Sequence, residues 1–142
     1  MATLFTDTAT IQNAPNPGNR MYPEQLGGRV RCARFKVTPG TEAAGTIINL
    51  VKLPKGARVL PQSRIYFAAG QGATLTVKVG DAASDARYFA AAAPGASATS
   101  IMLDAAVAAP VPLANDGWIF ITTGVAALAA AVISGEILYV LD

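Results

Sequence analysis

The clearest pattern in the chain is 74-TLTVKV-79, where Leu75, Val77 and Val79 alternate with Thr74, Thr76 and Lys78. A period of two sends successive side chains to opposite faces, so this segment predicts a half-buried strand. Upstream, 29-RVRCARFKV-37 alternates with a change of phase: Arg29 and Arg31 alternate with Val30 and Cys32, then Arg34 and Lys36 with Ala33, Phe35 and Val37. A one-residue change of phase predicts a β-bulge near Cys32 and Ala33. The run 46-TIINLVKL-53 is mostly apolar and rich in β-branched residues, and Pro54, Lys55 and Gly56 stop it. A shorter strand, 64-RIYFAA-69, is closed by Gly70, Gln71 and Gly72. The segments 100-SIMLD-104, 118-WIFITT-123 and 136-EILYVL-141 predict further strands, with Asn115, Asp116 and Gly117 as the turn before Trp118. In 125-VAALAAAVI-133 alanine favours helix while the β-branched residues and flanking Gly124 and Gly135 oppose it, so this piece is expected to be irregular or strand.

Seven or eight short strands, punctuated by glycine and proline turns and without a long amphipathic helix, predict an all-β sandwich or barrel. Proline, glycine and asparagine crowd residues 13–19, and no sustained period precedes them. Residues 1–22 therefore read as an extended N-terminal arm and 23–142 as a single β-sandwich domain. Leu4, Phe5 and Ile11 give the arm apolar anchors and are expected to bury against a partner or a second copy.

Composition sharpens this picture. Only 14% of the 142 residues are charged, low for a small domain whose whole surface meets water, so part of that surface is expected to be covered. Residues 20–78 hold ten of the eleven Lys and Arg, whereas residues 79–142 hold six of the nine acids. Arg29, Arg31, Arg34 and Lys36, with Lys55, Arg58 and Arg64 beyond them, are therefore expected to meet carboxylates of a partner. The alanine-rich segments 94–113 and 125–133 are expected to pack against like surfaces, with Ala127 and Ala130 at the contact. The longest apolar run is too short to span a bilayer, and the N-terminus lacks a signal pattern, so no membrane partner is predicted.

The sequence also limits chemistry. With no histidine, Ser–His and Cys–His catalysis are excluded, and Cys32 alone forms neither an intrachain disulfide nor a four-cysteine metal site. No phosphate-binding glycine loop is present. Asp81 and Asp85, in the stretch 80-GDAASDARYF-89, are candidates for a paired-carboxylate or metal site, but two carboxylates are too few for calcium. The simpler expectation is a connector in which Gly80 permits the turn, an aspartate caps loop amides and Tyr88 and Phe89 anchor the next strand. No catalytic residue, metal or cofactor is assigned. Nucleic-acid binding by Arg29 to Lys36 is set aside because the phase change would scatter these charges over both faces of the strand. A sugar platform of Tyr66, Tyr88 and Trp118 is a further alternative.

The succession 48-INLVKLPKGARVLPQSRIYFAAGQGATLTVKVGDAASDARYF-89, followed by 118-WIFITTG-124 and 136-EILYVLD-142, resembles the capsid decoration, or cement, proteins of tailed bacteriophages. There too an apolar strand leads into LPKGARV, an alternating strand ends in VGD, RYF follows, and a terminal strand closes the chain. The likeness covers most of residues 45–142 and little of the arm. It implies a jelly-roll-like β-sandwich, without an enzymatic site, made in the host cytoplasm and carried on the outer surface of the virion. Its partner would be the phage major capsid protein, whose capsomers it bridges; separately, the alanine-rich segments and the commonness of two-fold symmetry favour pairing of copies as a dimer over a trimer. The alternative within this resemblance is another virion component, such as a head-fibre base or a tail-associated sandwich.

Overall fold

The alternation at residues 74–79 does become a strand whose buried side is Val77 and Val79, and the rest of the chain is organised around it. The computed structural model describes residues 29–95, 97–104 and 111–141. Nine strands run through them: β1 (Arg31–Val37), β2 (Ile47–Leu53), β3 (Ala57–Val59), β4 (Arg64–Phe67), β5 (Thr76–Asp81), β6 (Ser84–Ala92), β7 (Thr99–Met102), β8 (Gly117–Gly124) and β9 (Ile133–Leu141). No helix occurs among the described residues. Leu4, Phe5 and Ile11, with the whole of the expected arm, lie outside the described residues.

The strands form two antiparallel sheets, β1-β9-β4-β7 with β3 also beside β9, and β2-β8-β5-β6. With β3 set aside, the pairs nest: β1 with β9, β2 with β8, β4 with β7 and β5 with β6. Pairing of β9 with β4 and of β8 with β5 then rolls this nested hairpin into two facing sheets. That wrapping is the jelly roll. Between the sheets lie Leu53, Ile65, Phe67, Leu75, Val77, Val79, Ile119, Ile121, Ile133 and Ile137, all fully buried. At roughly 1.5–3 kcal/mol for each large side chain removed from water, this layer dominates stability and leaves the outer faces and ends for contacts.

The bulge expected near Cys32 does not form. β1 pairs with β9 without interruption from Arg31 opposite Tyr139 to Val37 opposite Ile133. Ala33, Phe35 and Val37 point to the core, while Cys32 is exposed with Arg34 and Lys36. The apparent change of phase came from reading a small apolar cysteine as buried. A register shift occurs instead in β2, where Asn49 lies opposite Phe120 and Val51 opposite Ile119, leaving Leu50 extra. A larger offset separates β3 from β4: Val59 faces Tyr139 and Arg64 faces Glu136, so residues 60–63 lie opposite only 137 and 138. Ser63, fully buried, repairs the ladder there. Its hydroxyl donates to the Leu60 carbonyl (2.7 Å) and accepts from the Leu138 amide (2.9 Å), while the Leu60 amide donates to the Leu138 carbonyl (2.8 Å).

Residues 125–132 form an irregular connection, as expected, tied to the sheets where Leu128 bridges Glu42 and where the Ala68 amide donates to the Val132 carbonyl at 2.9 Å. The register places this connection at one end of the sandwich, with the β1–β2, β4–β5 and β6–β7 connections. The start of β1, the β5–β6 hairpin and the end of β9 lie at the other.

Candidate interaction surfaces

The β5–β6 hairpin tests for chemistry most directly. Asp81 ends β5, 3% exposed, and both carboxylate oxygens are occupied. Oδ1 accepts from the amides of Ala83 (2.9 Å) and Ser84 (3.3 Å); Oδ2 accepts from Arg87 Nη1 (2.9 Å) and the Tyr88 hydroxyl (2.7 Å). Gly80 is required beside it, because a Cβ there would strike the backbone of Ser84 and Asp85. Burial, and then the hydrogen bond to Asp81, push the Tyr88 phenol well above the usual tyrosine range. Asp85 turns away to the surface, where it pairs with Lys78 at 3.1 Å. The two carboxylates therefore take different partners, and Asp81 acts as the internal knot of a connector. This is the arrangement expected of 80–89, with Tyr88 as the anchor.

On the first sheet, strand pairing gathers basic residues that are distant in sequence. Cys32, Arg34 and Lys36 of β1 face outward opposite Leu138, Glu136 and Ser134 of β9. Arg64 and Tyr66 of β4 lie on the other side of the same Glu136 and Ser134, opposite Met102 and Ser100 of β7. Arg58 of β3, half-buried, joins the face opposite Val140. The described outer face thus carries Arg34, Lys36, Arg58 and Arg64 around one acid, Glu136. Cys32 Sγ lies 3.7 Å from Glu136 Oε2, and Arg64 Nη2 reaches Met102 Sδ at 3.6 Å. Arg31 falls on the opposite alternation, beside Tyr139, yet is exposed at the strand end, as is Arg29 before it.

The charges of 29–36 thus divide between two faces, as expected although no bulge forms, and no single basic stripe of all four assembles. The sugar platform does not assemble either. Tyr88 is buried, and Tyr66 and Trp118, 44% and 45% exposed, sit on the outer faces of different sheets.

The connection 125–132 forms a second surface. Leu128 is fully buried and exchanges two backbone hydrogen bonds with Glu42 (3.1 and 2.8 Å), and Gln71 Nε2 donates to the Ala131 carbonyl at 3.4 Å. The buried plug holds Ala127 and Ala130 outward, both exposed. Val125, 80% exposed, adopts φ 65° within a turn closed by the Ala126 amide on the Gly124 carbonyl at 2.8 Å. A β-branched residue in this region is strained, by about 1–3 kcal/mol.

The whole wrapping, and not one segment, has counterparts among solved structures. A chain in the capsid of Ralstonia phage GP4 matches with a TM-score of 0.66 at 21% identity, over 88% of this chain and 93% of that one. A chain of the cyanophage Pam1 capsid matches with a TM-score of 0.61 at 22% identity, over 92% and 99%. A chain of the acid-stable capsid of Helicobacter pylori bacteriophage KHP30 gives 0.53 at 17%, over 81% and 90%. The chain shares its fold with chains of phage capsids. No family model and no curated protein matches the sequence.

Proposed function

We propose that this protein is a structural component of a phage virion that decorates the outer surface of the capsid and bridges neighbouring capsomers of the major capsid protein. The observation that supports this most is end-to-end agreement of the nested two-sheet wrapping with the capsid chains of GP4 and Pam1, covering 93% and 99% of their lengths. The hairpin carboxylate of Asp81 fits the same reading, since its four donors tie a connector together. A lattice component needs no turnover. Many modest contacts, each burying on the order of 1,000 Å², make a shell resist internal pressure through repetition.

In this reading the arm clamps through Leu4, Phe5 and Ile11. The exposed alanines 127 and 130 pair two copies, because small side chains allow flat, close contact and two-fold pairing is the commonest closed symmetry. The test is to add purified protein to shells assembled without it and measure co-sedimentation and the temperature at which the shells break. Saturable binding with a raised breakage temperature supports the proposal, and absence of binding at any concentration overturns it. Deleting residues 2–14 is expected to leave the sandwich folded and lower shell occupancy.

A further inference from the structure

We propose that the outer face of the first sheet is a docking surface for an acidic face of a different protein. Three observations carry this.

Pairing of β1 and β4 on either side of β9 sets Arg34 and Arg64 two strand spacings apart, roughly 10 Å, with Glu136 between them. Lys36 lies one residue pair further along β1, and Arg58 beyond the offset at Ser63. Guanidinium groups fixed on a rigid sheet present planar forks suited to carboxylates.

The rest of this face has the composition of protein interfaces, where arginine, methionine and aromatic residues are enriched. Tyr66 and Met102 are 44% and 36% exposed, and the partly exposed Leu138 and Val140 continue the same face further along β9, opposite Cys32 and Arg58. A carboxylate at the centre of the cations opposes a phosphate backbone, whereas it suits a protein partner that brings both acids and a donor. This favours protein over nucleic acid.

The described chain has no acidic face to offer in return. Asp81 is buried under four donors, Asp85 pairs with Lys78, and Asp116 Oδ1 accepts the Lys55 amide at 2.8 Å. Glu42 and Asp104 lie in connections at opposite ends of the sandwich. The described residues thus give a second copy no complementary face, and the charge of this surface points to another protein as the partner. If the virion reading above holds, it is the capsid shell, with the second sheet turned outward.

Two measurements test this, the first independent of that reading. Amide chemical shifts of the full chain are followed during titration with polyglutamate and, separately, with a DNA duplex. Salt-sensitive shifts from polyglutamate centred on Arg34, Lys36, Arg64 and Tyr66 support the docking face. Shifts centred on the second sheet, no shifts, or tighter binding of DNA to the same residues overturn it. In the second, Arg34→Glu, Lys36→Glu and Arg64→Glu are combined and compared with Lys52→Glu, on the outer face of the other sheet. The triple variant is expected to lose about tenfold in affinity for shells, more at low salt than at high, and Lys52→Glu less than about twofold. Equal losses overturn the docking face while leaving shell binding itself intact.

Discussion

At the scale of the residue, Asp81 shows how a charged side chain can be buried with both of its oxygens engaged. Each oxygen holds two donors, so neither lone pairs nor charge are left uncompensated. Replacing Asp81 with Asn keeps the shape but removes the charge that Arg87 and Tyr88 face. The variant is expected to lose on the order of 2 kcal/mol in a denaturant titration, since the buried Tyr88 hydroxyl and the partly exposed Arg87 both lose the charge they donate to. Tyr88 adds a pH dependence whose sign follows from its raised pKa. Above about pH 10 the unfolded chain gives up the phenolic proton that the folded protein retains, so stability falls as pH rises further. Tyr88→Phe is expected to have a shallower alkaline decline than the parent, measured as unfolding free energy between pH 8 and 11.

At the scale of the element, β3 and β4 behave as one interrupted strand, held in register by the Ser63 hydroxyl. Ser63→Ala leaves the Leu138 amide without its acceptor and is expected to cost about 1–3 kcal/mol, read from the shift in denaturation midpoint. Nothing in 60-LPQS-63 announced this offset, because a side chain standing in for a ladder partner leaves no period in sequence. β5, by contrast, was legible: one face packs into the core while the other is partly exposed, and the alternation of valine with threonine and lysine records that. β1 was legible as a strand but misread in phase, since Cys32 is apolar by type and exposed by position. The basic face was half legible. Arg34 and Lys36 are neighbours in sequence, but Arg58 and Arg64 join them only because β9, the last strand, inserts between β1 and β4. Such a long-range crossover is a property of the wrapping and has no local signal.

At the scale of the whole molecule, the nested pairing of first strand with last closes the core within a single chain, leaving the two outer faces and the alanine-bearing end for neighbours. Ala127→Asp combined with Ala130→Asp puts two charges on that end without touching the buried Leu128 plug. The double variant is expected to remain folded and to shift toward monomer in sedimentation, because a charge buried in a contact without a partner is strongly unfavourable. The measurement that bears most directly on the central claim is an electron cryo-microscopy reconstruction of the phage shell with this protein bound. The account predicts density for the two-sheet sandwich on the outer surface, spanning a boundary between capsomers. Density confined to the shell interior or the tail, or bare capsomer boundaries at saturating protein, would contradict it.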